Sequence, residues 1–297
     1  MINAKIYFYD TDDKLVEEKV EGRLCLEFLY TAMWGRVLRF LFTRRIVSKL
    51  YAFYQNSKWS KRRIVPFIKK HDIEMSECQQ KADEFKSFND FFCRKLKDGA
   101  RPIDPDVNAI VSPADSKLFV IPNISNYVSF FVKNETFNLA KFLDDTSLAG
   151  QFEGGALMIF RLAPPDYHHF HFPVDCKTFK FEPMGRLLES VNPIVYRTGV
   201  QPLTTNVRYH YVLETSKQEP VVMTAVGAMM VGSVVETFET DQKCIKGQEA
   251  GYFQFGGSTI TLLFKQGFVK PLQKYIDHSA KGFESAVRLG QRVADLV

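Results

Sequence analysis

The stretch 246-KGQEAGYFQFGGSTITLLF-264 carries the reading of the fold. Two short runs of β-type residues, Gly251 to Phe255 and Ile260 to Phe264, flank Gly256-Gly257, a pair whose missing Cβ atoms leave the backbone free to bend. The same texture recurs outward from there. Ala109 to Val111, Lys117 to Ile121, Tyr127 to Val132, Ala156 to Leu162, Thr178 to Glu182, Arg208 to Leu213, Val221 to Val226 and Val231 to Val235 are all bounded by Pro, Gly or Asn. Such spacing predicts a mostly antiparallel β domain with few helices. The chain is expected to close with a helix from about Ser279 to Val297.

The first third reads differently. Residues 1 to 20 alternate apolar and polar side chains, as at Ile6, Phe8 and Leu15, which predicts a short hairpin. From Leu24 to about Tyr54 apolar residues recur at intervals of three and four, predicting an amphipathic helical segment broken near Gly35 or Thr43. A further helical stretch after Cys78 leads into SFNDFFCRKLKDGARPID, residues 87 to 104, where Gly99 and Pro102 mark an end. The expected class is α+β, with a helical N-terminal membrane-associating region over residues 1–105 and a β-rich, mostly antiparallel catalytic domain over 106–297.

Between Trp34 and His71 there are eleven Lys or Arg residues and no Asp or Glu, interleaved with Trp34, Phe40, Phe42, Trp59 and Phe67. A basic amphipathic surface of this kind suits the headgroup layer of an anionic membrane. It is also the composition of an ordinary solvated helix face, and it suits a nucleic-acid backbone. The overall charge of +5 decides nothing among these. Arg36, Arg39, Arg44 and Arg45 interrupt the longest apolar stretch, so any lipid contact is expected to be peripheral. Five scattered cysteines without a CxxC pair fit free thiols in a reducing compartment, and the first residues lack the pattern of a cleaved targeting signal.

Three islands in the β region hold residue types that chemistry needs: SPADSK (112–117), PPDYHHFHFP (164–173) and GYFQFGGSTI (251–260). On an extended segment His169 and His171 share one face and His168 takes the other. Two imidazoles on one face could serve a zinc ion, but no HExxH helix or cysteine cluster accompanies them, and no metal is expected. The alternative is a Ser-His-Asp unit, Asp115 orienting His171 and His171 deprotonating Ser258. A serine hydrolase would use that unit without cutting itself, but Ser258 lacks the Gly-x-Ser-x-Gly elbow, since Ile260 stands two residues beyond it.

Taken together and in this order, the islands resemble the phosphatidylserine decarboxylase family, with its Ser-Pro-Ala-Asp turn, Tyr-His-x-x-His-x-Pro segment and Gly-Ser-Thr site near the carboxyl terminus. The resemblance extends through SFNDFFCRKLKDGARPI (87–103), Asn192-Pro193, VGAMMVGSV (226–234) and KGQEAGYFQFGGST (246–259). Ser116 stands where many members have Gly, Gly256 replaces a Leu, and TTNVRY (204–209) only partly matches the usual Asn-Glu-Arg strand.

The resemblance implies self-cleavage between Gly257 and Ser258 into a beta chain, 1–257, and an alpha chain, 258–297, which supplies a central strand. It implies that Asp115, His171 and Ser258 form the autocleavage triad and that Ser258 becomes a covalent pyruvoyl (pyruvate) cofactor. That group is expected to form a Schiff base with phosphatidylserine and release phosphatidylethanolamine, with His168 as proton donor and His169 structural. Further expectations are a peripheral membrane protein on the cytoplasmic face of a bacterial-type cell membrane, an anionic membrane as partner, a homodimer, and no nucleic acid.

Overall fold

The computed structural model describes residues 5–124, 127–129, 136–229 and 234–297. Ten strands form one sheet, in the spatial order Lys243–Cys244, Cys176–Lys180, Arg208–Thr215, Pro220–Gly227, Ser258–Phe264, Ala156–Leu162, Ser116–Ile121, Glu284–Val287, Tyr7–Tyr9 and Leu15–Glu17. Neighbours are antiparallel throughout except Tyr7–Tyr9, which runs parallel to Glu284–Val287. The mixed α+β architecture with a large, mostly antiparallel sheet is the expected one.

The central strands are buried along their whole length because both faces of the sheet are covered. Leu118, Met158, Phe160 and Leu262 enter one core, while Phe119, Leu157, Ile159 and Leu263 enter the other, which is the two-residue alternation of a pleated strand. Two three-stranded sheets and a two-stranded pair, Tyr127–Ser129 with Thr136–Asn138, make up the rest of the described β structure. One orders Val234–Glu236, Glu249–Phe253 and His169–His171, and the other Val269–Pro271, Arg292–Leu296 and Ala109–Val111. The expected strands over 127–132 and 231–235 lie partly outside the described residues.

At the amino terminus, the hairpin pairs Tyr7–Tyr9 with Leu15–Glu17 and forms one edge of the large sheet. The helical segment is three helices, α1 (Arg23–Thr31), α2 (Met33–Phe42) and α3 (Arg45–Gln55). Its breaks fall at Ala32, which is extended, and at Thr43-Arg44. The break at Thr43 is one of the two expected; Gly35 itself lies inside α2, where a Cβ would sit 1.8 Å from the Phe28 carbonyl oxygen, so the glycine permits a close approach between α1 and α2. No helix among the described residues is long and apolar enough to cross a membrane.

Two expectations of helix fail. After Cys78 only Phe88–Phe92 is α-helical, capped by the Ser87 side chain, and Phe85, Phe88, Phe91 and Phe92 are wholly buried in a cluster against which Phe255 packs. The expected terminal helix is instead Gln273–Ala280 followed by strands Glu284–Val287 and Arg292–Leu296. Gly282 and Gly290 adopt φ of 83° and 82°, which ends the helix and turns the chain back into the two sheets.

Candidate active site

Ser258 opens a central strand of the large sheet, between Pro220–Gly227 and Ala156–Leu162, and is completely buried. Its Oγ lies 3.4 Å from Nδ1 of His168. The other ring nitrogen, Nε2, lies 3.1 Å from the Ala163 carbonyl oxygen. A carbonyl can only accept, so Nε2 carries the proton and Nδ1 presents its lone pair to the serine hydroxyl. Burial, followed by the nearby Arg94 cation, holds the pKa of His168 well below the usual imidazole range, so the ring is neutral near pH 7.

The surroundings fix that ring. Phe92 stacks on it with centroids 3.9 Å apart. The turn before it is pinned by Asp166, whose carboxylate accepts from Lys117 Nζ at 2.7 Å and from the Ala163 amide at 2.7 Å. Arg94 Nη2 donates to the Pro165 and Asp166 carbonyls at 2.8 and 3.2 Å.

The expected Asp115–His171–Ser258 relay is not assembled as hydrogen bonds. Asp115 is gripped by Arg101, from Nε at 2.9 and 3.0 Å and from Nη2 at 2.7 Å, and its Oδ1 also accepts from the Leu289 amide at 2.8 Å. His171 meets the Gly247 carbonyl through Nδ1 at 2.8 Å, and its buried Nε2 has no hydrogen-bond partner. The reason is the alternation of an extended chain: His168 and Phe170 face inward, and His169 and His171 face the other way. His169 bonds Glu249 and the Cys93 carbonyl and stacks between Tyr167 and Tyr252, which suits the structural role expected of it.

A sequence-family model described as phosphatidylserine decarboxylase matches residues 88–295. The chain belongs to the phosphatidylserine decarboxylase family. Membership makes it a carboxy-lyase. Among similar proteins, the phosphatidylserine decarboxylase proenzymes of Fusobacterium nucleatum and Chlamydia pneumoniae are each 38% identical, over 93% and 94% of this chain and 92% and 94% of theirs. That of Ruminiclostridium cellulolyticum is 37% identical over 99% of this chain and 98% of its own.

Within this family member, the bond before Ser258 faces a cavity of about 350 Å³. Phe255, Gly256 and Gly257 line one side, the Ser190–Asn192 loop another, and Leu26, Leu29 and Phe42 of the first two helices a third. Gly256 has φ of 138°, a backbone state that a side chain disfavours, so this position before the Gly257–Ser258 bond suits glycine. Beneath the cavity Arg161 is held between two carboxylates, Glu18 at 2.8 and 2.9 Å and Glu284 at 2.5 to 3.1 Å.

Sequence reading missed Arg94, Arg101, Asp166 and Phe92 as parts of the site. All four lie inside quoted motifs, but their roles depend on partners in other motifs, 14 residues away for Arg101 with Asp115 and 71 for Arg94 with Pro165. Of the expected site histidines, it is His168, expected as proton donor, that meets Ser258, and not His171, expected as its base.

Proposed function

We propose that the chain is a proenzyme that cuts itself between Gly257 and Ser258, converts Ser258 into a pyruvoyl group, and decarboxylates phosphatidylserine to phosphatidylethanolamine. The observation that carries this reading is the buried Ser258 Oγ facing the unprotonated Nδ1 of His168, two residues after Gly256 with its φ of 138°.

His168 Nδ1 takes the hydroxyl proton as Ser258 Oγ attacks the Gly257 carbonyl carbon. The Oγ–C bond forms and the peptide C–N bond breaks, leaving an ester and a free amine on residue 258. Removal of the Cα proton expels the Gly257 carboxylate and gives dehydroalanine, whose imine tautomer adds water and loses ammonia. Residue 258 suits the resulting group: it is sealed from solvent, Gly257 before it lines the cavity, and it begins a strand paired on both sides, so the cut leaves that strand in place. The pyruvoyl group supplies a ketone conjugated to an amide, an electron sink for decarboxylating an amine-bearing substrate. His168 remains beside residue 258 and returns a proton to the substrate carbon. Asp115 and His171 act as positioning residues, with His171 holding Gly247 at the start of the chain segment that leads into the cleavage turn.

We assign the substrate's arrival to a membrane surface. Trp34, Phe40, Ile46, Leu50, Phe53 and Trp59 are exposed on the N-terminal helices and the turn after them, alongside exposed Arg36, Lys49, Lys58, Lys61 and Arg62. The same helices wall the cavity, so lipid held on this face has a short path to Ser258.

Intact-mass analysis of the purified protein tests the reading. Two fragments, 1–257 and 258–297 with a pyruvoyl terminus on the smaller, are expected. A single uncut chain that still acts on the substrate would return the site to the hydrolase class of chemistry.

A further inference from the structure

The cavity beside Gly257 has an uneven charge balance. Glu18, Lys19, Glu21, Arg63 and Arg161 are its charged lining residues. Glu18 is committed to Arg161, which also holds Glu284. Lys19 pairs with Asp72, and Glu21 with Lys70 and His71. Arg63 is different: among the described residues no carboxylate pairs with it. Its guanidinium lies 4.8 Å from the ring centre of Phe88 and 5.9 Å from that of Phe255, and Nη1 donates to the Tyr51 hydroxyl at 3.3 Å. The aromatic faces and that one hydrogen bond hold the group in place without neutralising it.

We infer that Arg63 is the receptor for the phosphodiester of the lipid substrate. The inference rests on the decarboxylase reading and deepens it. A phosphatidylserine headgroup offers two anions, and chemistry separates them. The serine carboxylate loses its charge as carbon dioxide leaves, so a cation paired with it would stabilise the ground state more than the transition state and oppose the reaction. The phosphodiester keeps its charge throughout, so binding energy spent on it is retained at the transition state. A planar guanidinium with unused N–H groups matches two phosphate oxygens at once. Phe255, on whose ring Arg63 rests, is the residue next to Gly256, so a phosphate held there leaves the headgroup amine directed toward residue 258. The apolar wall of Leu26, Leu29 and Phe42 then accepts the lipid beyond the phosphate.

The test compares dihexanoyl phosphatidylserine, soluble as single molecules, with its methyl phosphotriester, which keeps the shape and lacks the phosphate charge. Rates of carbon dioxide release are normalised to the cleaved fraction of each preparation. The unsubstituted enzyme should prefer the diester in kcat/KM, and Arg63→Gln should shrink that preference by about 10- to 100-fold, as loss of a charge-assisted hydrogen bond does. Arg63→Lys should restore part of it. An undiminished preference in Arg63→Gln, as carboxylate recognition would leave, overturns the inference. So does failure of both variants to be cleaved, which would make Arg63 a residue of processing. Release of carbon dioxide from the diester by the unsubstituted enzyme checks the decarboxylase reading separately; if there is none, both fall.

Discussion

Ser258 Oγ faces His168 Nδ1 at 3.4 Å, and the hydrogen bond of His168 Nε2 to the Ala163 carbonyl leaves Nδ1 as the acceptor. The pair therefore meets in the protonation state that hydroxyl activation needs, with the Ala163 carbonyl, not a carboxylate, setting the tautomer.

Processing should depend on His168 more than on His171. Ser258→Ala should remain uncut, and His168→Gln should slow cutting by about a hundred- to ten-thousand-fold, the usual worth of a general base. His171→Gln should slow it less, because the His171 side chain's hydrogen bond is to the Gly247 carbonyl and not to Ser258. A gel time course of freshly synthesised chain measures all three. Equal losses in the two histidine variants would return the base role to His171.

Acid should destabilise the folded chain from about pH 6.5 downward. Burial lowers the pKa of His168 and His171, and burial together with Arg208 pushes His210 down to about 4. With folded values depressed, the unfolded state takes up protons first, so the histidine contribution is complete above the unfolded pKa and is lost as pH falls toward the folded one. His210 is buried between Thr224 Oγ1 at 2.7 Å and the Phe142 carbonyl at 3.0 Å. Between pH 7 and pH 5, His210→Gln should lose about 2 kcal/mol less stability than the unsubstituted chain in urea denaturation. Identical losses would show that His210 titrates normally in the fold.

Arg161→Met should be severe. It would leave Glu18 and Glu284 buried and facing one another without their shared cation, at a cost of about 3–5 kcal/mol. Glu18 follows the first hairpin and Glu284 lies in the strand beside it, so the loss should free the amino-terminal strands from the sheet. Hydrogen exchange of residues 7–17 reads this directly; unchanged protection there would mean the hairpin is held by other contacts.

Binding to vesicles should require both the apolar and the basic side chains of the amino-terminal helices. Trp34→Ser with Trp59→Ser should reduce flotation with phosphatidylglycerol-containing vesicles by about tenfold or more, since each buried tryptophan contributes of the order of 1–2 kcal/mol at an interface. Raising salt should weaken binding of the unsubstituted chain. Flotation indifferent to lipid charge would count against the basic residues.

The local pattern of residues determined much about this protein. Strand positions such as Ala156–Leu162 and Ala109–Val111 follow from short β-type runs between turn residues, and the three motifs together identified the family, because bond-making groups recur as types at fixed spacing. The terminal strands were hidden because Glu284–Val287 and Arg292–Leu296 carry weak local preference and are strands only through pairing with Ser116–Ile121 and Ala109–Val111. The partners of the site histidines were hidden for the same kind of reason. Asp115 and His171 are sound choices by residue type, but Arg101 and Gly247 claim them, and tertiary packing brings His168 to Ser258. Spacing along the chain specifies which groups are available; which of them touch is set by the long-range pairing of strands and by burial, which no local pattern encodes.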